Sequence, residues 1–169
     1  MSTSQPATTA VSKDLPLNGE VPFFLEVEGC PLYAVYHPAR GGAPGETAAI
    51  IVPALGVEQL TGYRSEVLLA RELARRGVCT LRFHPRGQGD SGGDSAELTL
   101  DSFTTDVCAM REELRRRSAA PRYAAVGVRL GALALAQGIQ GDPPRALVLW
   151  EPVHDPQSYF RELMRSVLF

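Results

Sequence analysis

The stretch Gly127-Val128-Arg129-Leu130-Gly131 constrains the fold of this chain more than any other. The apolar run Tyr123 to Val126 leads into it, and the alanine-rich run Ala132 to Gln137 leads out. The first reads as a buried strand; the second belongs to a helix over Leu130 to Ile139. A chain that passes from strand to helix within so few residues must bend sharply at Arg129. Glycines at 127 and 131 suit that bend, because side chains there would strike the neighbouring strand and helix.

The same alternation runs through most of the chain. Phe23 to Glu28 and Leu32 to His37 read as two strands, with Gly29-Cys30-Pro31 as the turn of a hairpin. After the Gly/Pro loop Pro38 to Glu46, Ala48 to Val52 is a continuous apolar run ending at Pro53. Tyr63 to Arg76 is expected to be helical, with Val67, Ala70, Leu73 and Ala74 at core spacing and Gly77 as its stop. Val78 to Phe83 is the next buried strand. Leu100 to Arg117 carries the stripe Phe103, Val107, Met110, Leu114 of a second helix, with Asp101 or Thr99 able to cap its start. Ala146 to Trp150 is the last strand, and Pro156 to Phe169 reads as a closing helix, because Tyr159, Leu163 and Val167 are four apart. The pattern predicts an α/β fold: a mostly parallel, doubly wound sheet of about six strands with an N-terminal antiparallel hairpin and helices on both faces. Residues 1–20 have no periodicity and are expected to be a disordered tail, leaving 21–169 as one domain.

Composition excludes several partners. A formal net charge of -2 gives no electrostatic reason to expect nucleic acid or an acidic membrane. No apolar run approaches the roughly 18 residues of a membrane span. Residues 1–14 lack the apolar core of a signal peptide, so a cytoplasmic location is expected. Cys30, Cys79 and Cys108 show neither metal nor redox spacing, and no metal or cofactor is expected. Lys13 is the only lysine among 17 basic residues, a bias that points to a GC-rich bacterial genome.

Three segments, in order, resemble the α/β-hydrolase superfamily. Pro53-Ala54-Leu55-Gly56-Val57-Glu58 stands where relatives place a His-Gly-x-Gly oxyanion loop. Arg82 to Gly93 (Arg-Phe-His-Pro-Arg-Gly-Gln-Gly-Asp-Ser-Gly-Gly) is similar to the Asp-x-Arg-Gly-x-Gly-x-Ser-x-Gly loop of lipase-like and serine-aminopeptidase-like members. Gly127 to Gly131 resembles the Gly-x-Ser-x-Gly nucleophile elbow. The elbow with its Gly-x-Arg-Leu-Gly-Ala surroundings, followed by Leu147 to Val153, resembles the exosortase-associated hydrolases, a branch in which the resemblance implies that an elbow arginine is usual. The resemblance covers about residues 22–165. It implies hydrolysis of an ester, thioester or amide, with the backbone N–H groups of Leu55 and Leu130 as the oxyanion hole.

The catalytic residues themselves do not carry over. Arg129 occupies the nucleophile position, and a guanidinium stays protonated and has no lone pair free to attack a carbonyl. After it the chain offers only His154 as a base, too soon after the final strand and adjacent to Asp155. Relatives continue beyond the sixth strand, so the domain is expected to be incomplete and the chain catalytically inactive as it stands. Arg129 has two readings: a fork for a carboxylate or acyl ligand beside the Leu130 N–H, with Asp90 and Glu151 as further ligand-binding candidates, or a strut paired with Asp90 or Glu151. Asp90 and Ser91 are otherwise expected to bond local backbone. A relocated nucleophile at Ser91 has no histidine to recommend it. The alternative to a hydrolase is a non-catalytic binding or interaction protein. A bare strand over 146–150 would further allow a homodimer.

Overall fold

The computed structural model describes residues 19–40 and 45–167, and side chains within these ranges up to residue 162. The expected tail over 1–18, residues 41–44 of the Gly/Pro loop and the last two residues of the closing helix lie outside the described residues.

The strands are β1 (Val21–Val27), β2 (Cys30–His37), β3 (Thr47–Val52), β4 (Thr80–Phe83), β5 (Arg122–Val128) and β6 (Ala146–Trp150). The α-helices are α1 (Gly56–Arg75), α2 (Leu100–Ser118), α3 (Leu130–Gly138) and α4 (Pro156–Val167). One six-stranded sheet has the order β1-β2-β4-β3-β5-β6. β1 pairs antiparallel with β2 and β2 with β4; the other pairings are parallel. This is the mostly parallel sheet with an antiparallel N-terminal pair that the sequence predicts.

Strand alternation assigns the helices to faces. Ile50, Tyr123 and Ala125 pack in the main core with Phe103, Val107, Met110 and Leu114 of α2 and Ala134 and Leu135 of α3. Ile51 and Val126, on the opposite face, pack with Ala70 of α1. All four members of the expected α2 stripe are at most 1% exposed. Thr99 provides the cap in a reciprocal capping box with Ser102. From β3 the chain crosses through α1 to β4 on one side, then through α2 to β5 on the other. The order therefore reverses at β3, and the carboxyl ends of β3 and β5 flank the switch point where such sheets place their ligands.

Three expectations need correction. The hairpin turn is Glu28-Gly29, not Gly29-Cys30-Pro31: Val27 pairs with Cys30, and both turn residues have positive φ, at 50° and 79°. Helix α1 begins at Gly56, seven residues before Tyr63; its first turns bury Gln59 and leave Val57 and Leu60 exposed, so they show no apolar periodicity. Glu20 is not loose tail: its carboxylate accepts from Arg71 Nε at 2.5 Å and its side chain is 4% exposed.

Candidate functional site

The bend at the switch point has the geometry the glycine pair demands. Arg129 adopts φ 53° and ψ -121°, a conformation that strains any residue with a side chain, at a cost of about 1–3 kcal/mol. Its N–H donates to the Trp150 carbonyl at 3.0 Å, and its own carbonyl accepts from the Ala132 N–H at 3.1 Å. A Cβ on Gly127 would stand 2.6 Å from the Cα of Ala132, and one on Gly131 would collide with the Pro53 carbonyl. Helix α3 and the loop after β3 thus approach the bend as closely as backbone allows.

The Arg129 side chain is committed. Its Nε donates to Glu58 Oε1 at 2.9 Å, and Nη1 donates to the Glu151 carbonyl at 3.2 Å. The hydroxyl of Tyr159 donates to the other oxygen of Glu58 at 2.5 Å, and the guanidinium lies 5.5 Å from the Tyr159 ring centroid. The hydrogen bond that Arg129 donates to Glu58 raises the arginine pKa further, while burial and then the Glu58 bond push the Tyr159 phenol up. The partner carboxylate is therefore Glu58, not Asp90 or Glu151: the early start of α1 carries Glu58 to the elbow. Glu151 contributes only its main-chain carbonyl, turned by its own positive φ of 46°.

Of Leu55 and Leu130, whose amides the resemblance implies as an oxyanion hole, Leu130 is buried in an apolar cluster with Val153 and Tyr159, and Leu55 packs against that cluster. Asp90 lies in a different hollow, of about 590 Å³, bordered by Tyr63, His84 and Gln88. There its N–H donates to His84 Nδ1 at 3.0 Å. Ser91 is engaged in both directions, donating to the His84 carbonyl at 2.6 Å and accepting from the Tyr33 N–H at 2.8 Å. Burial lowers the pKa of His84, against the opposing pull of Asp90. His154 is exposed. Asp155 caps α4, accepting from the N–H groups of Gln157 and Ser158. Among the described residues no cluster of His, Cys, Asp or Glu could hold a metal ion.

Beside the elbow, α1 and the carboxyl ends of β5 and β6 enclose a hollow of about 340 Å³. Glu66 of α1 borders it, a residue given no role by its sequence position. It is 4% exposed, yet its Oε1 has no hydrogen-bond partner among the described residues. Burial pushes its pKa up to about 7, against the smaller pull of Arg82 and of a hydrogen bond from the Ala54 N–H.

The chain matches no family model. No curated protein matches it either. Its fold is that of the α/β serine hydrolases. A lidless α/β serine hydrolase from Xanthomonas campestris superposes with a TM-score of 0.66 and 21% identity, over 81% of this chain and 63% of the hydrolase. Est1E of Butyrivibrio proteoclasticus, solved with ferulic acid bound, gives 0.67 and 21%, over 85% of this chain and 56% of that protein. An epoxide hydrolase from Vigna radiata gives 0.60 and 17%, over 80% and 39%. The chain thus spans less than two-thirds of the length of the solved hydrolases it resembles. No described helix is long and apolar enough to cross a membrane.

Proposed function

We propose that this chain is an α/β-hydrolase-fold protein in which the elbow no longer performs acyl transfer and the crevice beside it holds a small ligand. The observation that carries this reading is the ion pair at the bend. The strained backbone that would present a nucleophile is retained, but its side chain is a guanidinium bound to Glu58 and the Glu151 carbonyl. Such a group polarises or positions a neighbour; it does not attack. Ser91, the other hydroxyl considered, is held by two backbone groups away from the elbow. The likeness of the elbow segment to the exosortase-associated hydrolases, with their arginine at this place, supports the same reading. An anionic acyl ligand would have to displace Glu58 from Arg129, which makes the fork a poor anion site.

A second reading, hydrolysis of an ester, thioester or amide, is favoured by the retained elbow geometry and by the solved neighbours. Short-chain p-nitrophenyl esters separate the two. The expected result is no turnover above the buffer rate. Turnover by the unaltered chain that disappears in Arg129→Ala would return the elbow to catalysis.

A further inference from the structure

We infer that a second hollow, between α1 and strands β2 and β4, is a binding site for a small monocarboxylate with an apolar body, anchored by Arg82. It shares no lining residue with the hollow beside the elbow, so the inference stands apart from the reading of the elbow.

The pleat of the sheet sets this hollow up. Val35 of β2 lies opposite Arg82 of β4, while Leu81 and Phe83 belong to the main core, so Arg82 faces α1. Tyr33 and Val35 stand on the same side of β2. On α1, Tyr63, Val67 and Arg71 follow one another at four-residue spacing and share a face. The two rows enclose about 260 Å³, with Pro22 of β1 completing the wall. The short side chains of Pro22, Val35 and Val67 give it an apolar lining.

Charge points to an anion. Arg82 is 6% exposed, yet among the described residues no carboxylate lies within ion-pair distance of it. Arg86 and Arg111, both more exposed, each lie against an aspartate. A guanidinium so far withdrawn from water is seldom left without a counter-charge. Its Nε donates to His37 Nε2 at 3.2 Å and its Nη1 to the Tyr63 hydroxyl at 2.9 Å. Burial, and then Arg82 itself, lower the pKa of His37 to about 4, so both acceptors are uncharged at neutral pH. The nearest acids do not fill the gap: Glu20 is bonded to Arg71, and burial pushes the pKa of Glu66 up to about 7.

The donors left over are open to the hollow. Arg82 Nη2 has no hydrogen-bond partner among the described residues, and it is not one of the atoms sealed from solvent, as His37 Nδ1 and Glu66 Oε1 are. The Tyr63 hydroxyl accepts from Arg82 and keeps its own proton to donate. The Tyr33 hydroxyl bonds nothing among the described residues; burial, and then Tyr63, push its phenol up against the pull of Arg82, so it stays a donor. A carboxylate seated here accepts from Nη2 and from the two phenols, bonds strengthened by its charge.

Isothermal titration at neutral pH with sodium benzoate tests the site, with benzylammonium chloride and benzyl alcohol as the cationic and neutral arms. The expected result is saturable benzoate binding and none of the other two. Tyr33→Phe removes a hydroxyl that holds nothing in the protein, and is expected to weaken benzoate binding about fivefold with the fold intact. Arg82→Gln is expected to weaken it by at least about tenfold. Val67→Phe, which fills the hollow without altering a charge, is expected to remove binding while the circular dichroism is kept. Absence of saturation, benzyl alcohol or benzylammonium binding as tight as benzoate, or unchanged benzoate affinity in any folded variant of the three would overturn the inference.

Discussion

Single residues decide most of what this site can do. Arg129 combines the strained backbone of a sharp strand-to-helix bend with a side chain that cannot attack; Glu58 holds that side chain, and Tyr159 holds Glu58. Glu66 is the other decisive residue, and its titration has a definite sign. Its folded pKa of about 7 lies above the ordinary value of 4.5, so between the two the native state keeps a proton that the unfolded chain releases. Stability therefore falls as pH rises through that window and levels off above it. His37 acts oppositely: burial, and then Arg82, lower its pKa to about 4, so its contribution is present above 6.5 and is lost as pH falls toward 4. Comparing Glu66→Gln with the unaltered protein at each pH isolates the glutamate. Urea unfolding should find the variant more stable at pH 8 by on the order of 2 kcal/mol and nearly equal at pH 4. Equal stability at both would mean that Glu66 is not buried as described. The bend at Arg129 was legible in the sequence, because a glycine pair between a strand and a helix permits little else. The partner was not. Glu58 precedes any visible periodicity, and Glu66, although at core spacing with Ala70 and Ala74, is passed over when only apolar residues are counted.

At the scale of elements, the site is a meeting of backbone segments. Val52 of β3 pairs with Gly127 of β5, so the loop after β3 and the elbow leave the sheet side by side. Gly131 lets α3 start against the Pro53 carbonyl. Gly131→Ala puts a methyl group into backbone that cannot move without separating β3 from α3. The expected cost is about 3 kcal/mol, at the upper end for overpacked sites, read as a lower urea midpoint. A variant as stable as the parent would show that the close approach is absent. The strand pattern was the most legible part of the chain, because β3 and β5 are buried on both faces and read as apolar runs. Helix α1 was the least legible: its first two turns, Gly56 to Tyr63, carry Glu58, Gln59 and Thr61, and only its later residues Ala70 and Ala74 are fully buried hydrophobes.

For the whole molecule, the sheet is unequal at its two sides. β1 is covered in part through the main core, whereas β6 stands at the other edge with Leu147, Val148, Leu149 and Trp150 each 41–52% exposed. A strand of this character pairs readily with another chain. Light scattering at rising concentration should report dimers, and Val148→Lys should return the protein to monomer. A monomer at every concentration would contradict that expectation. The central claim, an elbow disarmed by its own guanidinium, is tested most directly by intact-mass spectrometry after exposure to a fluorophosphonate, which captures activated serines. The account predicts an unchanged mass, since it puts Arg129 at the nucleophile position and Ser91 is bound to backbone. Stoichiometric addition of one phosphonyl group to a serine of the folded chain would contradict it.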